Sequence, residues 1–555
     1  MDLNLRIAGE AGQGAQTTGN LLVVGCAKIG LHLLTTQSYM SRIRGGLNWF
    51  DLRISDRPLS AGREQADLLV ALTPAALDIL RPTVTEGGVI LFDGAEADGA
   101  VALAFTAAAK EIAGSPIMAN SVAAGAVFGL LGYDTDALCG YVTGAFSKKG
   151  LEVVEQNIRC IRRGAEMCAG RAGMPKAPAP GGGSGQQVAS GSEAIALAAA
   201  TAGVKFVASY PMTPSTGVFT YLAGAADRYG IVVEQAEDEI AAVNMICGAT
   251  YAGVPAMTTT SGGGFALMAE GLSLAGMMEL PILVLLSQRP GPATSLPTRT
   301  AQQDLRFALH AGHGEFPRAI FAPGTVRQAF ALTRRALATA HEHQSPTILL
   351  LDQFLADQQR TVEPLDESYR PIDRRIVADP GAGYLRYALS DDGISPRAIP
   401  GGEARVLCDS DEHDEEGHIT EDLNIRVAQD DKRLAKLDGL TAAALAPEHY
   451  GTEDAELVLL AWGSTHGPAR EAVDQLIDKG EKAAMLHFAQ VWPLRADEIR
   501  RALTAAQRII SVEGNHTGQF ASVLRETGAI DACELVLRYD GLPFTAEDIV
   551  RKVLS

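Results

Sequence analysis

Three short stretches hold the residues best placed by type and spacing to do chemistry. In EDEIAAVNMICGAT the spacing predicts a helix over 239–250, which puts Glu239, Ala242, Val243, Ile246 and Thr250 on one stripe. That stripe is mostly apolar, so Glu239 aims a carboxylate into surroundings that penalise charge. Such a group needs a partner or a raised pKa, which suits it to hold a proton or a polar ligand atom. The competing reading is a helix N-terminal carboxylate stabilised by the macrodipole. In SYPMTPST, Pro211 and Pro214 fix the backbone around Thr213 at the exit of the apolar run VKFVA, making either a plain turn or a mount for the threonine hydroxyl. In PILVLLSQRPGPATSLPTRT, Arg289 stands at a strand exit, where a guanidinium can hold a carboxylate with two parallel bonds.

Two glycine-rich turns complete the set. TTTSGGGF, with Ser261 and Gly262, lets backbone approach a ligand or another chain closely, or is simply a flexible turn. GEAGQG, with Gly9, Gly12 and Gly14, sits between a strand-like and a helix-like run and could cradle a phosphate. It is neither the dinucleotide fingerprint nor a Walker A loop, and a tight structural turn is the alternative. SRIRGG sets Arg42 and Arg44 before a glycine pair, for an anionic ligand, a subunit contact or a solvated turn. Asp93-Gly94 followed by Asn120 loosely imitates a magnesium–diphosphate loop, but no set of converging oxygens accompanies it, so no metal site is expected in this chain.

The elements that must position these residues alternate in an α/β pattern. Residues 1–173 alternate strand-like LNLRIAG, DLLVALT and GGVILFDG with helix-like AQTTGNLLVVGCAKIG, the pattern of a parallel sheet covered by helices. MPKAPAPGGGSG, residues 174–185, reads as an exposed linker. A second α/β run covers 186–375, an acidic connecting segment 376–440, and a third α/β run 441–555. The acidic segment, centred on CDSDEHDEEGHITEDLN, is expected to be a long ordered loop or small subdomain.

Composition excludes several classes. The 555 residues carry a net charge of -19 spread along the chain, which argues against nucleic acid as a partner. No apolar run reaches bilayer length and the N-terminus lacks a leader pattern, so a cytoplasmic protein is expected. Seven scattered cysteines without a CxxC pair fit a reducing compartment and give no cysteine-based cluster site.

Taken together, YPMTP, EDEIAA, TTTSGGGF, LLSQRPGPAT with LPTRT, HGEFPR and ISPRAIPG resemble the alpha subunit of 2-oxoacid:ferredoxin oxidoreductases. GEAGQG with SRIRGG resembles the gamma domain of the same enzymes, fused here upstream of alpha, and WGSTHGPAREA with VEGNHTGQF resembles their transketolase C-terminal-like domain. The resemblance spans nearly the whole chain. It implies a multidomain α/β fold comprising a gamma-type domain, a thiamine-diphosphate pyrimidine-binding domain and a transketolase C-terminal-like domain.

It also implies thiamine diphosphate shared with a separate beta subunit, which would hold Mg²⁺ and a [4Fe-4S] cluster. Coenzyme A is implied as co-substrate and ferredoxin as electron acceptor, in a heterodimer or dimer of heterodimers. By motif, Glu239 would meet the aminopyrimidine ring, with Ser261 and Gly262 also at the cofactor. Thr213, Arg289 and Thr298 would line the 2-oxoacid, with Arg289 on its C1 carboxylate. Gly12, Gly14 and Arg44 are expected at coenzyme A or a subunit contact. His313 and the His413-Asp414 pair either border the site or belong to a satisfied loop and a solvated charge run.

Met212 where Ile is common, and TSGGG for TSGPG, depart from the family pattern. The gamma-alpha fusion with EDEIAA, SDEHDE and ISPRAIPG favours 2-oxoglutarate. Pyruvate, arylpyruvate or branched-chain 2-oxoacids on the same scaffold, or a non-catalytic assembly subunit, are the alternatives.

Overall fold

A computed structural model describes residues 1–39, 46–171 and 176–555. Arg42 and Arg44 lie outside the described residues. The chain divides into two compact units, the first formed by 1–189 with 358–364 and 545–547, the second by the remainder.

The first unit is built on an eight-stranded sheet. From edge to edge it runs Val101–Ala102, Val84–Phe92, Ala66–Ala71, Asp2–Glu10, Leu47–Ser55, His32–Ser38, Gln359–Val362 and Gln187–Ser190. Its strands are not all parallel, contrary to the sequence expectation. Asp2–Glu10 pairs in parallel with Ala66–Ala71 but antiparallel with Leu47–Ser55, which is antiparallel to His32–Ser38 as well.

Only eight positions, 39–46, separate these two strands in sequence, and so short a separation suits antiparallel neighbours, whereas a parallel crossover needs a dozen residues or more. The register sets Arg6 opposite Asp51, and Arg6 Nε donates to Asp51 Oδ1 at 2.7 Å inside the sheet. Where described, the Pro/Gly-rich stretch is bonded to this unit: Gly183 N donates to Gly30 O at 2.6 Å, and His32 Nε2 meets Gly182 O at 3.1 Å. The Asp93 carboxylate accepts from Thr106 N and Oγ1 at 3.1 and 2.6 Å, tying the turn to the start of the helix Phe105–Ala113.

The second unit holds two sheets. The seven-stranded sheet runs Gln490–Trp492, Ala319–Phe321, Thr347–Asp352, Leu283–Gln288, Ala256–Thr260, Phe206–Ser209 and Val232–Gln235. All its neighbours are parallel except the edge strand Gln490–Trp492, which pairs antiparallel with Ala319–Phe321. Its central strands ILVLL and TILLLD are buried along their whole length and largely apolar because helices cover both faces of a parallel sheet.

The five-stranded sheet runs Glu448–Gly451, Ala483–Phe488, Leu457–Trp462, Arg508–Glu513 and Glu534–Leu537. Trp462, Phe488 and Phe520 pack in its core, with Phe488 and Phe520 ring centroids 4.8 Å apart.

At the end of the acidic segment, expected as a long ordered loop or small subdomain, Leu423–Ala442 forms a 20-residue helix. Asp422 caps it, accepting from Asn424 N at 2.8 Å. The helix buries Lys432, Arg433 and Lys436 rather than an apolar stripe, so hydrophobic periodicity could not reveal it. Two of those lysines converge on Glu279, which is 1% exposed, Lys432 Nζ lying 2.7 Å from its Oε1 and Lys436 bonding its Oε2. Arg386 adds bonds to the carbonyls of Met278 and Glu279.

Candidate functional site

Ligands of open α/β sheets sit beyond the carboxyl ends of the strands, and here the candidate residues gather at those ends. Strand Phe206–Ser209 finishes at Ser209, whose buried Oγ accepts from Thr259 N at 2.9 Å and ties the first candidate turn to the neighbouring strand. Ser215 N then donates to Met212 O at 2.9 Å, closing the YPMTPS turn that leaves Thr213 half-buried.

Strand Leu283–Gln288 leads directly into Arg289, whose Nη1 donates to Thr213 O at 2.8 Å. The two residues, 76 positions apart, are thus joined by a direct bond.

Glu239 is the first residue of the helix Glu239–Tyr251. Asp238 starts that helix, its Oδ1 accepting from Ala241 N at 2.7 Å, a cap the sequence reading passed over although an Asp before an apolar-periodic run signals one. The buried face is Glu239, Ala242, Val243, Ile246, Cys247 and Thr250, the expected stripe with Cys247 added, while Ile240 and Met245 are exposed. Glu239 itself is 3% exposed, and its Oε1 has no hydrogen-bond partner among the described residues. Burial raises its pKa; a backbone bond opposes the rise and the neighbouring Asp238 charge adds to it.

The SGGG turn explains how a carboxylate can sit there. A Cβ at Gly264 would collide with Glu239 Oε1 and with Thr260 Oγ1, so only glycine lets the helix Gly262–Leu267 lie against the carboxyl group. Ser261 precedes that helix with its Oγ buried and unpaired. A Cβ at Gly262 would fall 2.7 Å from Asp304 Oδ2, so the same turn has Glu239 on one side and Asp304 on the other.

Asp304 escaped the sequence reading. Burial pushes its pKa up to about 6 against the pull of Arg289, and its Oδ2 is buried without a partner. The signal available was an acid directly before the helix Leu305–His310 in the segment that also holds Thr298. Buried polar atoms are almost always bonded. Three bare oxygens around one glycine turn, on Glu239, Ser261 and Asp304, therefore mark a place shaped for hydrogen-bond donors.

Thr298 is half-buried in the loop that follows Arg289. That loop is held at its far end: Thr300 N donates to Gly541 O at 3.1 Å and Gln302 N to Gly514 O at 2.7 Å, while Gln302 Oε1 accepts from Gly514 N at 2.8 Å. The VEGNHTGQF motif makes this anchor rigid, because the buried Glu513 carboxylate accepts from Phe520 N and Ala521 N at 2.8 and 2.9 Å. His313 lines a cavity with Ile240, Asn244 and Leu267 on the outer side of the Glu239 helix. His413 is fully buried with its ring tilted against Tyr387, centroids 3.9 Å apart; its Nδ1 lies 3.0 Å from Asp411 O, while its Nε2 has no hydrogen-bond partner among the described residues.

In the first unit, Gly12 and Gly14 have φ of 92° and 88°, and Gly14 caps the helix Ala15–Lys28 in the left-handed region. A Cβ at Gly14 would collide with the side chain of Asn120, so the turn needs glycine for both backbone and space. The turn leads into a 14-residue helix, as its place between a strand-like and a helix-like run led one to expect.

Comparison with known proteins follows the same division. The model for pyruvate ferredoxin/flavodoxin oxidoreductase matches residues 4–167. That for the thiamine-diphosphate-binding part of pyruvate flavodoxin/ferredoxin oxidoreductase matches 197–432, and that for core domain II of pyruvate:ferredoxin oxidoreductase matches 455–549. The 2-oxoacid:ferredoxin oxidoreductase 1 alpha subunit of Aeropyrum pernix is 31% identical over 100% of this chain and 97% of its own length. The 2-oxoglutarate oxidoreductase subunit KorA of Mycobacterium tuberculosis is 30% identical over 99% and 90%.

Among solved structures, the 2-oxoglutarate:ferredoxin oxidoreductase of Magnetococcus marinus, with 2-oxoglutarate, coenzyme A and succinyl-CoA bound, superposes with a TM-score of 0.94. It is 31% identical and covers 100% of this chain and 99% of that one. Since the agreement runs through both units and through the segment carrying Thr213, Glu239 and Arg289, the chain belongs to the alpha subunits of the 2-oxoacid:ferredoxin oxidoreductases.

Proposed function

We propose that this chain is the pyrimidine-holding alpha subunit of a complex that oxidatively decarboxylates 2-oxoglutarate to succinyl-CoA and CO₂, passing electrons to ferredoxin. The observation that carries the reading is Glu239: a 3%-exposed carboxyl with a raised pKa and a bare Oε1, kept approachable by Gly264. Those features fit the flat, nitrogen-bearing aminopyrimidine of thiamine diphosphate. When bound, that cofactor supplies the carbon nucleophile and electron sink for decarboxylation.

Glu239 holds a proton at the ring-facing oxygen, and burial favours the protonated form that this requires. Ser261 and Gly262 shape the wall beside it. Arg289 holds the C1 carboxylate of the 2-oxoacid while one of its donors fixes the Thr213 carbonyl, which keeps the threonine turned toward the substrate. Thr298 lines the far side, on a loop fixed by Gln302 and Gly514. Mg²⁺ and the [4Fe-4S] cluster are assigned to the beta subunit, and Gly12 and Gly14 to a coenzyme A phosphate or a subunit contact.

The choice of 2-oxoglutarate rests on what the Magnetococcus enzyme binds and on the name of the mycobacterial relative. The test is viologen reduction by the chain assembled with its beta subunit, under anaerobic conditions, with coenzyme A and a panel of 2-oxoacids. 2-Oxoglutarate is expected to give the highest kcat/KM; a higher value for pyruvate, an arylpyruvate or a branched-chain 2-oxoacid would reassign the substrate. Arg289→Met is expected to raise KM about ten- to hundredfold for every 2-oxoacid accepted, since all share the C1 carboxylate and the lost bond is charge-assisted. An unchanged KM would move carboxylate recognition to another residue.

A further inference from the structure

Outside the site described above, the five-stranded sheet carries a second cluster of chemically capable side chains. Glu448 and His487 face each other as register partners on the antiparallel strands Glu448–Gly451 and Ala483–Phe488. His466 begins the helix His466–Asp478 and packs its ring edge-on against His487, with centroids 4.6 Å apart. One ligand-capable atom from each of the three lies within 4.8 Å of the other two. We propose that Glu448, His466 and His487 form a binding site for a divalent transition-metal ion, Zn²⁺ by preference, that pins these two strands to the helix.

The donor geometry supports the assignment. His466 Nε2 and Glu448 Oε1 are 3.3 Å apart. Two ligands of a tetrahedral zinc at about 2.0 Å each are separated by about 3.3 Å, so this pair already spans one edge of the coordination shell. His487 Nε2 donates to the carbonyl of Gly463 at 3.1 Å, which fixes the tautomer whose Nδ1 keeps its lone pair, the backbone-carbonyl arrangement that orients metal-binding imidazoles.

His487 is fully buried and His466 is 5% exposed, and the Nδ1 of His487 lacks a hydrogen-bond partner among the described residues. A hydrogen-bonded structural cluster would use that nitrogen; a metal site explains why it is kept bare.

The wall is shaped to the cluster too. A Cβ at Gly324 would come 2.5 Å from His466 Cβ and 2.6 Å from His487 Nε2, so glycine is needed where the loop after Ala319–Phe321 passes the two rings. Glu448 retains solvent access, its side chain being 41% exposed, which leaves a route for the ion and room for water as the fourth ligand. Two imidazoles and one carboxylate suit Zn²⁺ over the hard cations Mg²⁺ and Ca²⁺.

The experiment uses the full chain assembled with its beta subunit, stripped with a chelator and titrated with Zn²⁺ alone. About one Zn²⁺ per alpha chain is expected to bind saturably and raise the Tm. Affinity is expected to fall roughly tenfold or more in Glu448→Gln, a substitution at an exposed side chain that leaves the fold intact, and in His466→Gln and His487→Gln. His449→Gln, the exposed neighbour on the opposite strand face, should bind as the parent does. Equal Zn²⁺ uptake by the parent and by Glu448→Gln, or no saturable uptake by the parent, would overturn the assignment.

Discussion

Glu239→Gln is expected to lower kcat of the assembled complex by about 10²- to 10⁴-fold, the range a positioned proton-holding side chain contributes. KM for the 2-oxoacid should change little, because Arg289, not Glu239, would hold the substrate carboxylate. The substitution keeps shape and hydrogen-bonding reach, so the helix Glu239–Tyr251, capped by Asp238, should form as before.

Stability supplies an independent check with a definite sign. Because the folded pKa of Glu239 is raised by burial, the ionised side chain costs stability as pH climbs from the ordinary carboxylate value through the raised one. Glutamine carries no such cost, so Tm at neutral pH should be no lower than that of the parent. A variant that loses activity and also melts much earlier would point to a merely structural carboxylate.

The largest stability effect is expected at Glu279→Gln. This residue sits 1% exposed between Lys432 and Lys436, each with its ammonium on one carboxylate oxygen and both nearly inaccessible. Burial alone would raise the Glu279 pKa; Lys436, Lys432 and Arg386 overturn that and hold it at about 2. Removing the charge leaves two buried ammonium groups facing each other, which costs about 3–5 kcal/mol.

The triple replacement Glu279→Met, Lys432→Met, Lys436→Met is expected to recover most of that loss, because apolar side chains need no compensation. If Glu279→Gln melts like the parent, the cluster does not hold the helix Leu423–Ala442 in place. The depressed pKa also fixes the pH window: the contribution of Glu279 is fully present above the ordinary carboxylate pKa near 4.5 and is lost as pH falls toward 2.

Glu239 was legible because helical periodicity is a local property: five positions of one stripe can be checked from sequence alone, and all five are buried in the structure. The strands PILVLLS and TILLLD were legible from an equally local signal, short and largely apolar runs of a sheet covered on both faces. Asp304 was not, because its importance comes from Gly262 and Arg289, which reach it across the fold.

The helix Leu423–Ala442 was hidden by its own chemistry. It buries three cations where a stripe of aliphatic residues would have announced it, and the acid that compensates two of them, Lys432 and Lys436, lies more than 150 residues upstream. The antiparallel pairing of His32–Ser38 with Leu47–Ser55 escaped for a related reason: charged residues such as Asp51 and Arg53 sit inside the sheet and break the apolar signature of the strand that carries them.

The central claim is that Glu239 acts through one ring nitrogen of the bound aminopyrimidine, and a chemical double-mutant cycle tests it most directly. Turnover of 2-oxoglutarate would be measured for the parent and Glu239→Gln complexes, each loaded with thiamine diphosphate or with an analogue in which carbon replaces that ring nitrogen. Either change alone is expected to cost about 10²-fold or more, and both together no more than one alone, since each removes the same bond. Losses that multiply in the doubly altered complex would contradict the account and place the function of Glu239 elsewhere.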